Sequence, residues 1–334
     1  MKLGIARERQ GTFAREMSAG VAAAATELGW SVTDVEGARG ESDCDVLLAI
    51  GNPSIYPDLV RRTRRCPRVL WYAEPLYRRL PGVGRVHEYL PTGRLLDIAA
   101  ATIPGFVRSP RFRDWRENAA VAREPLNNLA TLRRTAHAFD RIVMDSHGRA
   151  KSASEAGLQV DVVPLGYHAA YAGPLVAGGA RDVDVLFFGR FINHFSRRRP
   201  ALEQLRTELQ QRKATLFVVT GDLYGLERRR ALSATRIVAD LHRIPGNLAW
   251  QRFILASAAG AAVVTEPIDN PLPFQRGVHY LESPAAEMAD MLCGLLADEK
   301  RRGELVAAAQ ALLATEMSMA RVLPRVVGAR RLDW

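Results

Sequence analysis

Basic side chains gather around the start of one predicted helix, within the segment IVADLHRIPGNLAWQRFILASAAGAAVVT at residues 237–265. His242 and Arg243 directly follow an apolar strand, and Arg252 lies five residues beyond Asn247. Asn is a preferred N-cap residue, so we expect the helix to begin at Asn247. A helix N-terminus attracts negative charge, and ligands of parallel sheets bind at the carboxyl ends of the strands. These residues therefore predict an anion site suited to a phosphate-bearing ligand.

Two series of strands and helices would position this site. Strands are predicted at residues 3–6, 31–35, 46–50, 68–72, 141–144 and 160–163, and again at 183–188, 214–220, 236–241 and 261–265. Strands that alternate with helices predict parallel sheets with right-handed crossovers. Between the two series, the Gly- and Pro-containing stretch 165–181 interrupts all periodicity and predicts a linker. We therefore assign a first domain to residues 1–165, a second to residues 166–315, and a C-terminal helix to residues 316–334 that is able to pack back on the first domain.

The composition narrows the class of protein. The chain has 334 residues, of which 48% are hydrophobic, enough for two sizeable cores and too many for a disordered chain. The net charge of +10 raises the question of a nucleic-acid partner. The basic residues are scattered rather than arranged in one stripe with aromatic residues, so we expect no nucleic-acid partner. Attraction of the basic surface to an anionic membrane stays open as an alternative.

The cysteines and the N-terminus exclude further classes. The three cysteines are odd in number and widely spaced, which indicates neither a disulfide framework nor a zinc site. The opening MKLGIARERQ lacks the apolar core of a secretory signal, and no apolar run approaches the roughly 20 residues that span a bilayer. We therefore predict a cytoplasmic protein.

Four segments carry a resemblance to a known family. They are DVDVLFFGR at residues 182–190, SATRIVADLHR at 233–243, the helical region 247–260 that ends in Ala-Ala-Gly, and residues 139–166 that end in Pro-Leu-Gly. In their order and spacing they resemble GT-B glycosyltransferases of the group 1 and spore-maturation types. The resemblance implies an α/β GT-B fold, in which two Rossmann-like doubly wound domains face each other across a cleft. It also implies a nucleotide-diphosphate sugar as co-substrate, with no other cofactor and no metal.

The resemblance also implies which residues bind the donor. In such enzymes protein cations and a helix N-terminus stabilise the departing diphosphate. Arg190 follows Gly189 at the carboxyl end of a strand and is expected to contact the diphosphate, with Arg198 from the run 197–199 as a second cation. The predicted donor-binding residues are Gly11, Thr12, Arg190, Arg198, His242, Arg243, Asn247, Arg252 and Glu266.

One family feature is missing. Many retaining members carry a Glu-x7-Glu pair that holds the ribose and the donor sugar, but the corresponding positions are Asn247 and Leu255. We expect Glu266, which follows the next strand on the same edge, to hydrogen-bond the ribose hydroxyls instead. The mode of sugar recognition and the stereochemical outcome stay open.

A candidate base follows a buried strand of the first domain. Glu74, in the sequence Trp-Tyr-Ala-Glu-Pro, is placed to face the cleft, where an inverting enzyme needs a base within hydrogen-bond reach of the acceptor hydroxyl. His87, His137 and His147 are rivals for this role. A salt-bridged loop glutamate is the alternative interpretation of Glu74.

These observations predict a metal-independent glycosyltransferase that moves a sugar from a nucleotide-diphosphate sugar to an acceptor. Two alternatives stay open. One is a nucleotide-sugar epimerase or hydrolase of the same fold, and the other is a non-catalytic binding protein of GT-B shape. The sequence names neither the donor sugar, nor the acceptor, nor the oligomeric state.

Overall fold

The computed structural model describes residues 1–6, 12–35, 43–61, 65–74, 76, 128–176, 181–189, 198–219, 223–242, 246 and 249–328. Within these residues the strands form two sheets, and every strand pair is parallel. The strands of the first sheet are β1 (Lys2–Ala6), β2 (Ser31–Val35), β3 (Val46–Ile50), β4 (Arg68–Tyr72), β5 (Arg141–Met144) and β6 (Asp161–Val162), in the spatial order β2-β1-β3-β4-β5-β6. The strands of the second are β7 (Val183–Phe188), β8 (Leu216–Val219), β9 (Thr235–Asp240), β10 (Ala262–Thr265) and β11 (Leu281–Glu282), in the order β11-β10-β9-β7-β8.

Helices connect the strands and cover the sheets. They are α1 (Thr12–Glu27), α2 (Pro57–Arg61), α3 (His147–Glu155), α4 (Ala169–Ala172), α5 (Arg198–Gln211), α6 (Gly225–Ser233), α7 (Trp250–Ala258), α8 (Met288–Ala297), α9 (Glu299–Ala314) and α10 (Met319–Val326), with a further helical stretch at 128–135 and 3-10 turns at Pro53–Ile55, Ala136–Ala138 and Ala285–Glu287. In the described part of the chain, no helix is both long enough and apolar enough to cross a bilayer.

The central strands are buried because helices cover both faces of a parallel sheet. Strand β4 is an example, since all five of its residues are buried. Its first residue, Arg68, is accommodated by two hydrogen bonds: its backbone N–H donates to Asp140 Oδ2 at 2.8 Å, and its Nη1 donates to the carbonyl of Leu59 at 2.6 Å. The continuous apolar runs that predicted the strands follow from this double burial.

Two of the three thiols lie together although 22 residues separate them in sequence. The Sγ atoms of Cys44 and Cys66 are 3.0 Å apart, and both side chains are buried. The two cysteines precede β3 and β4, which are neighbours in the sheet. The contact therefore lies at the amino ends of these strands, away from the edge where ligands of parallel sheets bind.

The C-terminal helix α10 packs against α1, so the end of the described chain returns to the first sheet. The return is fixed by two backbone hydrogen bonds: Tyr167 N–H donates to the carbonyl of Met317 at 2.6 Å, and Met319 N–H donates to the carbonyl of Tyr167 at 2.7 Å. Beyond them, Arg141 Nη1 donates to the last carbonyls of the helix, those of Arg325 at 2.6 Å and Val326 at 3.0 Å. Residues near position 167 and the start of α10 thus form one packed junction.

A polar contact joins helices that belong to different sheets. Glu16 on α1 accepts hydrogen bonds from the Gly225 backbone N–H at 3.0 Å and from Arg228 Nη1 at 2.8 Å. The Arg228 side chain is only 1% exposed, so its charge depends on Glu16 for compensation. One apolar cluster also contains residues of both sheets, such as Leu48 and Val238.

We predict that Gly166→Ala loosens the junction. A Cβ at this position would lie 2.8 Å from Met319 Cα, a backbone atom that cannot move aside without displacing α10. Overpacking of this kind typically costs about 1–3 kcal/mol, which urea unfolding would detect. Gly303→Ala is the matched control, because nothing lies within 4 Å of its added Cβ and the residue is inside α9, where Ala is favoured over Gly by about 1 kcal/mol. Equal stability of Gly166→Ala and wild type would contradict the packing described.

Candidate functional site

The carboxyl ends of β7, β9 and β10 meet at one edge of the second sheet. These three strands are neighbours, in the order β10-β9-β7. Their last residues, or the residues just beyond them, are Gly189, Asp240 and Thr265. These strand ends and the starts of helices α5 and α7 therefore lie in one small region.

A buried ion pair lies at the centre of this edge. Arg252 Nη1 donates to Asp240 Oδ1, and Asp240 is fully buried while the Arg252 side chain is 12% exposed. Burial alone would raise the pKa of Asp240, but Arg252, His242 and Arg198 together hold it below its usual value of 3.8. Asp240 is therefore a carboxylate at neutral pH. The pair links the end of β9 to the first turn of α7.

Two guanidinium groups flank one aromatic ring beside this pair. The Cζ atom of Arg252 lies 5.4 Å from the centroid of Phe187, and that of Arg198 lies 5.9 Å from it. Arg198 is the first residue of α5 and is buried, whereas its neighbour Arg199 is half-buried and pairs with Glu203 at 2.9 Å. Of these two arginines in the basic run, the structure thus brings Arg198 into the cluster.

His242 ties the loop after β9 to the end of β10. Its backbone N–H donates to Glu266 Oε2 at 2.5 Å, and its Nε2 lies 2.8 Å from Thr265 Oγ1. Burial lowers the pKa of His242 below 6.5, and this outweighs the opposing effect of the carboxylates of Asp240 and Glu266. The imidazole is therefore neutral near pH 7 and adds no positive charge there. Glu266 is likewise buried and spends one oxygen on the backbone of this loop.

The prediction that Asn247 caps the following helix is wrong. Helix α7 begins at Trp250, and its N-cap is Ala249, whose side chain makes no capping bond. An N-cap preference is worth only about 1 kcal/mol, so tertiary structure readily sets a different helix start. Just upstream, Gly246 is held by a tertiary pairing: it forms a parallel bridge with Ile268 and accepts a hydrogen bond from the Asp269 N–H at 3.1 Å. This pairing, together with a positive φ of 75° at Gly246, keeps the chain out of helical geometry at that point.

Several predicted donor-binding residues fall where the structure gives no description. Gly11, Arg190, Arg243 and Asn247 lie outside the described residues, and Thr12 is the first residue of α1 with its side chain not described. Arg190 directly follows Gly189 in the chain. The structure therefore brings together Arg198, His242, Arg252 and Glu266 from the predicted set.

Glu74 lies at the corresponding edge of the first sheet, just beyond β4. It is half-buried, and its Oε1 lies 3.9 Å from the position that a Cβ on Gly51, at the end of β3, would take. Among its rivals, His137 precedes β5 and so lies at the opposite edge of the sheet, His147 is the exposed first residue of α3, and His87 is outside the described residues. The position suits a group that faces a ligand.

Two residues at these edges were not identified from the sequence. One is Asp240, which was predicted only to be part of a strand. The other is Asp145, which follows β5 and pairs with Arg149 Nη1 at 2.5 Å while both are buried. Burial raises the pKa of Asp145, and Arg149 opposes the shift. An Asp directly after a strand, with an Arg four residues later on a helix, is the signal that would have found the second pair.

The chain matches no protein-family model and no curated protein sequence. Solved structures resemble it along nearly its whole length. HepE of Anabaena, solved with UDP and glucose, is 12% identical with a TM-score of 0.56, over 98% of this chain and 99% of HepE. An alpha-glucosyltransferase solved with UDP and a 13-mer DNA containing a HMU base is 9% identical with a TM-score of 0.57, over 98% and 99%. AviGT4, a glycosyltransferase involved in avilamycin A biosynthesis, is 12% identical with a TM-score of 0.53, over 98% and 96%.

The prediction of a GT-B fold is confirmed by these likenesses and by the two parallel sheets. At such low identity, the likeness shows the fold alone. Within the described residues, no three His, Cys, Asp or Glu side chains are grouped to hold a metal ion. Metal independence and the absence of a nucleic-acid partner stay predictions.

We predict that His242 makes folding stability fall on acidification. Because the pKa of His242 in the folded protein lies below its unfolded value of about 6.5, the unfolded chain binds the proton more readily. The stability gained above about pH 6.5 is therefore lost as the pH falls toward 5. In urea unfolding at pH 7, 6 and 5, the free energy of unfolding should fall less steeply with decreasing pH for His242→Gln than for wild type. The exposed His137→Gln is the control, and identical slopes for His242→Gln and wild type would refute the assignment.

Proposed function

We propose that this protein is a glycosyltransferase that takes a sugar from a nucleotide-diphosphate sugar and transfers it to an acceptor hydroxyl. The observation that carries the proposal is the cluster of Arg198, Arg252 and His242 around Asp240, at the ligand-binding edge of the second sheet. It lies in a fold that HepE, solved with UDP and UDP-glucose, shares over 98% of this chain. Both point to a nucleoside diphosphate as the ligand of this edge.

The chemistry needs donors aimed at a leaving diphosphate. In the proposed reaction the bond from the anomeric carbon to the diphosphate oxygen breaks, and negative charge grows on that oxygen. Arg252 and Arg198 carry fixed positive charge at this edge, where burial strengthens electrostatic interactions. Arg190 and Arg243 follow the ends of β7 and β9 in the chain and are proposed as additional contacts. In this proposal the leaving group is stabilised by protein cations alone.

The acceptor side is proposed to use Glu74. Glu74 lies beyond β4, at the carboxyl edge of the first sheet. Arg198 and Arg252 lie at the corresponding edge of the second sheet, beyond β7 and β9. The Glu74 carboxylate would accept the proton of the acceptor hydroxyl as that oxygen attacks the anomeric carbon. We further propose that the protein works in the cytoplasm.

Binding and product analysis test the proposal directly. UDP, dTDP and GDP are titrated while thermal unfolding is followed. A ligand present at a concentration of 100 times its Kd stabilises the folded protein by about 2.7 kcal/mol. The corresponding sugar nucleotides are then incubated with acceptor mixtures, with and without EDTA. We expect one nucleotide to raise the Tm and sugar to be transferred equally with EDTA present. Free sugar as the sole product would indicate a hydrolase, an isomerised donor an epimerase, and no nucleotide binding a protein without this activity.

We predict that Glu74→Gln lowers kcat by about 10²–10⁴-fold, the usual contribution of a general base. The KM for the donor should be nearly unchanged, because Glu74 lies on the other sheet from the cationic cluster. Steady-state kinetics provide the measurement, with the exposed Glu299→Gln as control. Activity within a few-fold of wild type would remove Glu74 from the mechanism and favour the alternative, a salt-bridged loop glutamate.

A further inference from the structure

We infer that Asp240 is a positioning residue, which holds the guanidinium of Arg252 at the diphosphate subsite without touching the ligand itself. The inference rests on the proposed function. It assigns separate roles to the two members of the ion pair: Arg252 meets the ligand, and Asp240 fixes where Arg252 lies.

Asp240 is shielded from any ligand. It is the last residue of β9 and is fully buried, whereas the side chain of Arg252 keeps 12% of its surface exposed. The Oδ1 atom of Asp240 accepts from Arg252 Nη1, and its Oδ2 lies 4.0 Å from His242 Nε2. Oδ1 is thus bound by Arg252, Oδ2 is buried without a hydrogen bond, and the exposed fraction of the pair belongs to the arginine.

Two further contacts hold the guanidinium of Arg252. A Cβ built on Gly189 would lie 2.5 Å from Arg252 Nη2 and 3.2 Å from its Cζ, so the arginine occupies the space left by the missing side chain. The ring of Phe187 lies 5.4 Å from the Cζ atom. The guanidinium therefore spans the ends of β7 and β9, at the edge where ligands of parallel sheets bind.

The direction in which Asp240→Asn changes the Kd for the nucleotide separates the possible roles of Asp240. A buried carboxylate close to a diphosphate repels it, so removing the charge in Asp240→Asn would strengthen nucleotide binding if repulsion were its only effect. If Asp240 instead holds Arg252 in place, the same substitution frees the guanidinium and weakens binding. The two roles predict opposite changes in Kd.

The experiment measures the Kd for the nucleoside diphosphate that wild type binds best, by calorimetry. The variants are Asp240→Asn, Arg252→Gln and the double variant. We expect Asp240→Asn and Arg252→Gln each to bind about tenfold more weakly than wild type. The double variant should bind no more weakly than Arg252→Gln, because Asp240 acts only through Arg252. Binding by Asp240→Asn that equals or exceeds wild type, or losses that multiply in the double variant, would overturn the inference.

Unfolding measurements on the same variants distinguish positioning from a structural role. Each single substitution leaves a buried charge without its partner, so Asp240→Asn and Arg252→Gln should both be less stable than wild type, while the double variant removes both charges and should regain stability. We expect affinity to stay low in that stabilised double variant. A double variant that recovers both stability and nucleotide affinity would show a merely structural pair and refute the inference.

Gly189→Ala supplies a test that changes no charge. The added methyl group competes with Arg252 for the same space, so the Kd should rise, whereas Gly157→Ala, which also has a positive φ but nothing within 4 Å of its added Cβ, should bind like wild type. Unchanged binding by Gly189→Ala would count against the inference. A wild-type protein that binds no nucleoside diphosphate would overturn the proposed function and this inference together, while normal wild-type binding with an unaffected Asp240→Asn would overturn the inference alone.

Discussion

Burial of the Asp240 carboxylate is tolerable only because a guanidinium lies against it. An isolated charge in such surroundings would be neutralised or hydrated, and the contact with Arg252 removes that need. The same contact ties α7 to the end of β9 and brings the arginine over Gly189 and Phe187. The geometry of the whole edge, including the loop that His242 links to β10, depends on this one charge pair.

The two sheets use their carboxyl edges differently. At the second sheet the edge is built from Arg252, Arg198 and a neutral histidine, which suits an anion. At the first sheet it carries Glu74 and the buried pair of Asp145 and Arg149. A donor whose leaving group is anionic and an acceptor whose hydroxyl must lose a proton need these two environments. The division of charge therefore agrees with a reaction between two substrates held by different sheets.

Local pattern was enough for most of the fold but not for the centre of the site. The ends of strands such as β3, β4 and β7 were predicted to within one residue, because a strand that is buried on both faces has a continuous apolar sequence. The start of α7 was misplaced because the preference of Asn for an N-cap is worth only about 1 kcal/mol and does not by itself fix where a helix begins. The two-residue strand β11 was too short to show a period. Asp240 was missed because its role depends on Arg252, and the position of Arg252 depends in turn on Phe187 and Gly189. These residues are far from Asp240 in sequence, so a local pattern does not reveal the contact.

The return of the chain at α10 has a mechanical consequence. Among the described residues, the chain passes between the first and second sheets near Tyr167 and again near Ser318, and these two passages lie side by side as a parallel bridge. A lone tether would let one lobe swivel freely about its bonds. Paired tethers suppress that torsion and leave mainly bending about a single axis, with Gly166 packed directly against the backbone beside it. Any change in the angle between the two sheets must therefore bend both passages together.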